Sequence, residues 1–156
     1  MKFIKKFLNN FEEFLVVPIM AVMTVVVIMQ VFSRFVLRDS LSWSEELARY
    51  LMVWAVFVGA SIGVKRGSHV GVEALVTRLP KKAQHIFKYL GIAIVLIFCA
   101  IVFTKGLGII QRQVTGHQVS PAMRMPMWWA YLAIPTGAFL MAVRFIQNML
   151  KIRRRD

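Results

Sequence analysis

Four apolar runs without a charged side chain divide the chain. They extend over residues 14–33, 50–64, 89–104 and 125–143. A helix needs about 20 apolar residues to cross the hydrocarbon core of a bilayer, and neutral flanking turns or snorkelling charges lengthen the shorter runs to that size. The pattern predicts an all-α membrane protein, a single domain over residues 1–156, with four transmembrane helices over residues 14–36, 44–65, 85–107 and 126–146.

The second span carries the clearest helix signals. Ser42 and Glu45 have the spacing of a capping box, in which the serine side chain accepts a helix N–H and the glutamate reaches back to the serine backbone. Lys65 and Arg66 lie at the opposite end, where positive charge interacts favourably with the helix dipole. Residues 47–64 would extend over about 27 Å, which is close to the thickness of the hydrocarbon core.

Two side-chain patterns on this helix predict contacts. Glu45 and Arg49 lie one turn apart, in the favourable order for an ion pair. Ala55, Gly59 and Gly63 recur at every fourth residue, and small residues at this spacing allow another helix to approach the backbone closely. The sequence leaves open whether that helix belongs to this chain or to another subunit.

Positively charged residues predict the orientation of the spans. The chain has 20 lysines and arginines against 7 acidic residues, a net charge of +13, and the basic residues cluster before the first span, between the second and third, and after the fourth. The positive-inside rule places these clusters, and both termini, in the cytoplasm. Because membrane spans separate the clusters, nucleic-acid binding is not expected.

Two amphipathic segments flank the spans. Apolar residues recur at helical spacing over residues 3–15, with lysines on the other face, which predicts an N-terminal amphipathic helix at the membrane surface. A short cytoplasmic interfacial helix is predicted after Gly67, over residues 68–79, and membrane lipids are the expected contacts of these basic segments. Glu12 and Glu13 interrupt the approach to the first apolar run, which argues against a cleaved signal peptide.

The other two connections are expected to face outward. The third helix is predicted to continue beyond Thr104 to Gly116, Pro126 to open the fourth helix, and Pro135 to kink it. The charged residues expected on the outward side are Arg34, Arg38, Glu45, Glu46, Arg49, Arg112 and Arg124. The aromatic residues expected to anchor the spans at the membrane interface are Trp43, Trp128, Trp129 and Tyr131.

The sequence offers no constellation typical of catalysis. His69, His85 and His117 lie in loops or at helix ends, and the predicted topology places His117 on the opposite side of the membrane from the other two. His69 and Glu73 have an i, i+4 spacing without further ligands, so a cap or surface contact is expected rather than a metal site. Cys99 is the single cysteine, which excludes an internal disulfide. We expect neither an enzyme nor a bound cofactor.

Two other classes of membrane protein remain open. A small homo-oligomeric exporter or channel needs a polar residue that faces a shared pore, and Gln30 is the one candidate. A haem-binding anchor of a redox complex needs histidines inside the spans, which this sequence lacks. No acidic residue lies deep in a span, so the chain is not expected to hold the coupling site of an ion-driven carrier.

Two segments carry a resemblance to a known family. The first comprises Trp43-x-Glu45-Glu46-x-x-Arg49, Trp54, Gly59-Ala60, Arg66-Gly67-x-His69 and Val72-Glu73. The second comprises Ser120-Pro121, Pro126, Trp128, Tyr131 and Ile134-Pro135. Together they resemble the signature of the small membrane subunit, the DctQ-like Q subunit, of tripartite ATP-independent periplasmic (TRAP) transporters.

The resemblance implies a complex in the bacterial inner membrane. Its other members would be a large membrane subunit, which carries the substrate and sodium sites of an elevator-type carrier, and a soluble periplasmic substrate-binding protein. Such transporters use ion gradients to import organic acids such as sialic acids and C4-dicarboxylates. This chain would act as a scaffold without a cofactor of its own, and sodium would bind in the large subunit.

The resemblance also assigns roles to the residues singled out above. The outward charged residues would lie near the docking side for the binding protein, although they equally fit a role in fixing helix ends. Ala55, Gly59 and Gly63 would contact the large subunit, with packing inside this chain as the alternative. Arg66, His69 and Glu73 would belong to the cytoplasmic loop.

Overall fold

The computed structural model describes residues 2–66 and 80–153. Its helices are α1 (Lys2–Phe32), α2 (Ser42–Arg66), α3 (Lys81–Thr115), α4 (Trp128–Tyr131) and α5 (Ala133–Arg153). The segments long and apolar enough to cross a membrane are Asn10–Leu37, Ser42–Arg66, Tyr89–Thr115 and Trp128–Leu150. The predicted helical fold with four spans is therefore confirmed. The predicted interfacial helix over 68–79 lies outside the described residues, together with His69 and Glu73.

The first span and the segment before it form one continuous helix. Helix α1 begins at Lys2 and ends at Phe32, and it passes the boundary predicted at residue 14 without a break. Residues 2–17 contain no glycine or proline that would interrupt a helix. Pro18 lies inside α1 and does not end it.

Helix α1 ends in a wider helical turn. Ser33–Leu37 form a π-helical segment, and the backbone N–H of Arg38 donates to the Ser33 carbonyl five residues earlier. Arg38 has a φ of 54°, in the left-handed region. A left-handed residue turns the chain away from the helix axis. The short connection over residues 39–41 then leads to α2.

Helix α2 begins at Ser42, and the capping box predicted there is wrong. Ser42 is the first helical residue, and it is the Ser44 hydroxyl that donates back to the Leu41 carbonyl, at 2.7 Å. The Glu45 carboxylate accepts a hydrogen bond from Arg49 Nη2 at 3.3 Å instead of reaching back to the serine backbone. This contact confirms the predicted i, i+4 pair, which gives an exposed carboxylate a charge-assisted partner.

Helix α3 continues well beyond the apolar run. It ends at Thr115, and the N–H of Gly116 donates to the Arg112 carbonyl at 2.9 Å. Pro80 directly precedes the first helical residue and has a φ of −57°, which suits the start of a helix. The predicted end of this helix at Gly116 is confirmed.

The fourth span is interrupted near its start. Leu132 separates α4 from α5 but keeps helical dihedral angles, with φ −61° and ψ −24°. Pro135 has no N–H to donate to the Tyr131 carbonyl four residues earlier. The hydrogen-bond ladder therefore breaks at this point while the backbone keeps a helical course.

The four long helices pack in a sequence of pairwise contacts. Helix α2 contacts α1 on one side and α5 on the other, and α3 contacts α5 and the short α4. The order of these backbone contacts is α1, α2, α5, α3, so the last span of the sequence joins the second to the third. A cluster of Val64, Ile92 and Phe145 joins the three helices α2, α3 and α5.

One close helix approach occurs at a glycine outside the predicted stripe. A Cβ atom at Gly137 of α5 would lie 2.6 Å from the Cβ of Phe57 and 2.7 Å from its carbonyl oxygen, both in α2. Ala55 is buried, whereas a Cβ at Gly59 or Gly63 would meet no atom within 4 Å. The two glycines of the stripe therefore do not pack against another of the helices that the structure describes.

Candidate functional site

The carboxylate of Glu46 joins helix α2 to the loop over residues 116–127. Its Oε2 accepts the backbone N–H groups of Ala122 at 2.8 Å and of Met123 at 3.1 Å. Its Oε1 accepts the hydroxyl of Tyr50, one turn further along α2. Three donors thus satisfy a carboxylate in a residue that is only 8% exposed. We name this arrangement the Glu46 clamp.

The loop that the clamp holds is closed by its own backbone hydrogen bonds. The N–H of Ser120 donates to the Met125 carbonyl at 2.8 Å, and the N–H of Met127 donates to the Gln118 carbonyl at 3.0 Å. The Ser120 hydroxyl also accepts the Met125 N–H at 3.2 Å. Residues 118–127 therefore form a small hairpin-like unit.

A proline and an arginine with a left-handed backbone conformation shape the turn of this unit. Pro121 has a fixed φ and no N–H, so the first two N–H groups after it are those that reach Glu46. Arg124 has a φ of 53°, and its N–H donates to the Ser120 carbonyl at 3.1 Å. A left-handed conformation is unfavourable for arginine and persists only where the surrounding contacts hold it.

Tryptophans join α2 to the start of the fourth span beside the clamp. The indole Nε1 of Trp54 donates to the Trp129 carbonyl at 3.2 Å. The rings of Trp128 and Trp129 are stacked with their centroids 4.9 Å apart. Trp43 and Trp129 are exposed, and Trp128 and Tyr131 are half-buried. The four predicted anchors thus all reach the surface of the chain, where an interfacial aromatic belt would place them.

A buried ion pair joins α1 and α5 at the end of the helices opposite the clamp. Arg144 donates from Nε to Glu12 Oε1 at 2.6 Å and from Nη2 to Glu12 Oε2 at 2.5 Å. The two side chains are only 7% and 3% exposed. Arg144 Nη1 donates in addition to Gln147 Oε1 at 2.8 Å. This bidentate geometry is the strongest form of a carboxylate–guanidinium contact.

Further polar contacts tie α2 into the same end. Lys65 Nζ donates to Asn10 Oδ1 at 2.8 Å and to Glu13 Oε1 at 3.3 Å. The Asn148 amide nitrogen donates to the Val64 carbonyl at 3.0 Å. Helices α1, α2 and α5 are therefore cross-linked by polar side chains at this end, which we name the ion-pair end. The end that carries residues 38–41 and 116–127 is named the loop end.

Residues 23–155 match the family model described as tripartite ATP-independent periplasmic transporters, DctQ component. The match covers most of the chain. The chain belongs to the DctQ family. The resemblance seen in the two sequence segments is thereby confirmed, and with four apolar helices this DctQ-family chain is a multi-pass membrane protein.

Proteins with curated names are similar to this DctQ-family chain. The C4-dicarboxylate TRAP transporter small permease protein DctQ of Rhodobacter capsulatus is 38% identical over 108 residues, which cover 69% of this chain and 48% of that protein. The sialic acid TRAP transporter small permease protein SiaQ of Vibrio cholerae is 31% identical over 155 residues, with coverages of 99% and 88%. The isethionate TRAP transporter permease protein DctMQ of Oleidesulfovibrio alaskensis is 31% identical over 147 residues, with coverages of 90% and 23%. The chain thus spans about half of the first relative and about a quarter of the third.

The clamp brings together the two segments that carry the DctQ-family resemblance. Glu46 of the first segment bonds to the turn that follows Ser120-Pro121 of the second, 76 residues away in sequence. Trp54 of the first segment bonds to the residue after Trp128 of the second. Sequence reasoning identified both segments but not this contact.

The charged residues predicted on the outward side separate into two groups. Six are exposed, namely Arg34, Arg38, Glu45, Arg49, Arg112 and Arg124. Glu46 is buried in the clamp, where its carboxylate bonds to the loop backbone, and its predicted place near the docking side stays a prediction. The Glu45 and Arg49 side chains are 62% and 68% exposed, and a pair so accessible to water contributes little to stability.

The ion-pair end was missed as a site. Arg66, predicted in the cytoplasmic loop, has its Nη2 3.4 Å from Glu13 Oε1. The available signal was the position of Glu12 and Glu13 just before a long apolar run, where a carboxylate near the membrane requires a cationic partner. Nothing in the spacing indicated that Arg144, 132 residues later, would be that partner.

Proposed function

We propose that this chain is the small scaffold subunit of a sodium-driven transporter that imports an organic acid across the bacterial inner membrane. It braces a large membrane subunit and helps to dock a periplasmic substrate-binding protein. The family match over residues 23–155 is the observation that carries the proposal. The distribution of basic residues supports an orientation with both termini in the cytoplasm and the loop end in the periplasm.

The proposed substrate is a sialic acid or a C4-dicarboxylate. The first two relatives described above are named for these two acids. Other similar proteins are named for isethionate and ectoine. Proteins similar to this chain are therefore named for several different substrates. We therefore place substrate selection in the other subunits.

The positions of the carboxylates favour a scaffold over a carrier. In the described helices they lie at the ends of the spans, with Glu12 and Glu13 at one end and Glu45 and Glu46 at the other. The two buried ones are already engaged, Glu12 by Arg144 and Glu46 by the clamp. A carrier driven by an ion gradient needs an ion-binding group near the membrane midplane. The sodium site is therefore assigned to the large subunit.

The open face of α2 is the proposed contact for the large subunit. At Gly59 and Gly63 an added Cβ would meet no side chain and no atom of another helix within 4 Å in the part of the chain that the structure describes. The DctMQ relative, in which the region similar to this chain makes up 23% of a longer permease protein, supports a large membrane partner. Small residues allow that partner's helix to approach the α2 backbone closely.

Replacing Gly59 with leucine is expected to reduce severalfold the amount of large subunit that copurifies with a tagged version of this chain, because the leucine side chain keeps the partner helix at a distance. Gly91→Leu in α3 is the matched control, since that glycine also has no atom within 4 Å of its missing Cβ. Equal recovery from Gly59→Leu and the unaltered protein would place the interface elsewhere.

Sodium-dependent uptake tests the proposed function. Vesicles containing this chain with its large subunit, an inward sodium gradient and the binding protein are expected to accumulate either sialic acid or succinate. Omitting any of the three proteins, or the gradient, should abolish accumulation. Uptake that persists without this chain would refute the scaffold role, and accumulation by this chain alone would favour a small exporter or channel.

A further inference from the structure

We infer that Glu46 is a positioning residue that fixes the loop over 118–127 as a cationic docking element for carboxylate groups on the surface of a soluble partner protein. The inference rests on the proposed function, which includes docking of a periplasmic protein. It adds which element docks, what holds that element in place, and which chemistry the partner presents.

Glu45 and Glu46 are neighbours in sequence with opposite environments. The Glu45 side chain is 62% exposed and pairs with Arg49. Glu46 is 8% exposed, and its carboxylate is surrounded by the N–H groups of Ala122 and Met123 and by the Tyr50 hydroxyl. A buried carboxylate with three donors is costly to lose because each donor is then left unpaired. A buried carboxylate that is used to hold one loop in place indicates that the function of the protein depends on the position of that loop.

The loop keeps its shape through its own bonds but depends on α2 for its placement. The bonds between Ser120 and Met125 and between Met127 and Gln118 lie within the loop. The two bonds that Glu46 receives come from the tip of the turn. Loss of the Glu46 carboxylate should therefore free the tip without opening the hairpin.

Arg124 lies next to the clamped tip and is held in one backbone conformation. Its φ of 53° is maintained by the turn, its N–H is bonded to the Ser120 carbonyl, and its side chain is exposed. A guanidinium group offers several donors in a fixed plane, which suits bidentate binding of a carboxylate. Because the clamp fixes the backbone beside it, less conformational entropy is lost when this side chain binds a partner.

The exposed surface of the loop end is cationic, and burial of Glu46 removes one carboxylate from it. In the part of this end that the structure describes, the exposed arginines outnumber the exposed acids, Asp39 and Glu45. The arginines are Arg34, Arg38, Arg49, Arg112 and Arg124. Complementary charge steers the encounter of two proteins and fixes their relative orientation. The surface therefore fits a soluble partner with an acidic docking face.

The inference is tested in the complete reconstituted transporter by varying the concentration of binding protein. Glu46→Ala is expected to raise the half-saturating concentration of binding protein by roughly tenfold while the maximal uptake rate is retained. Amide exchange in the peptide that covers residues 118–127 should become faster in the same variant, on the order of tenfold or more at the tip. Glu45→Ala is the matched control and should leave the loop amides unchanged.

Two further variants keep the test decisive if Glu46→Ala does not assemble. Tyr50→Phe removes one donor from the clamp and should cause a smaller change in the same direction. Arg124→Glu leaves the clamp intact and should raise the half-saturating concentration without faster amide exchange. If the half-saturating concentration is unchanged in both variants, the inference is overturned and the proposed function still stands. If the unaltered transporter takes up substrate without binding protein, the proposed function itself is refuted.

Discussion

Replacing Arg144 with glutamine is expected to lower the melting temperature of this subunit by on the order of 10 °C. The substitution leaves the Glu12 carboxylate buried without the guanidinium group that donates to both of its oxygens. Removing one partner of a buried ion pair costs about 3–5 kcal/mol of folding free energy. The measurement is the fraction of protein that stays soluble after heating in mild detergent.

Glu13→Gln is the matched control for this prediction. Glu13 is adjacent in sequence, but its side chain is 33% exposed and its partners lie at 3.3 and 3.4 Å, so its loss should have a clearly smaller effect. The double variant Glu12→Leu with Arg144→Met should regain much of the lost stability, because no charge is then left buried. If Glu13→Gln lowered the melting temperature as much as Arg144→Gln, burial of the Glu12–Arg144 pair would not explain the loss of stability.

Replacing Gly137 with alanine is expected to destabilise the contact between α2 and α5. The added Cβ would lie 2.7 Å from the Phe57 carbonyl oxygen and 2.6 Å from the Phe57 Cβ, and a backbone atom has little freedom to move aside. Overpacking of this kind costs about 1–3 kcal/mol. We expect a lower melting temperature in the same heating assay and a lower yield of folded protein.

Gly108→Ala is the control, and its expected change in stability has the opposite sign. Gly108 lies inside α3, and a Cβ there would meet no atom within 4 Å. Alanine in a helix interior is favoured over glycine by about 0.5–1 kcal/mol. Stability should therefore rise slightly or stay level at Gly108 and fall at Gly137, and a fall at both positions would show that the geometry at Phe57 is not the cause.

The sequence was sufficient to predict the helices because the signals for them are local. The length of each apolar run limits a span, and Pro80 and Gly116 mark the two ends of α3. The pair between Glu45 and Arg49 depends only on their separation of one turn. Each of these features is decided by residues within a few positions of one another.

The contacts that connect the helices could not be predicted, because they join residues that are distant in sequence. Glu46 reaches a turn 76 residues away, and Glu12 reaches Arg144 across 132 residues. The contact predicted for the small-residue stripe stays a prediction, whereas Gly106 and Gly137, which lie outside the stripe, pack closely against neighbouring helices of this chain. Helix periodicity predicts on which face of its helix a residue lies, but it does not specify which other helix packs against that face.

The order of contacts between the helices has a consequence for biosynthesis. Among the described residues, α3 has close backbone contacts only with α4 and α5, so it leaves the ribosome before its neighbours exist. Helices α1 and α2 can pair as soon as both have entered the bilayer, whereas α3 stays apart until the last span is translated and inserts beside it. A product that terminates before residue 128 would therefore consist of one helical hairpin and one solitary helix.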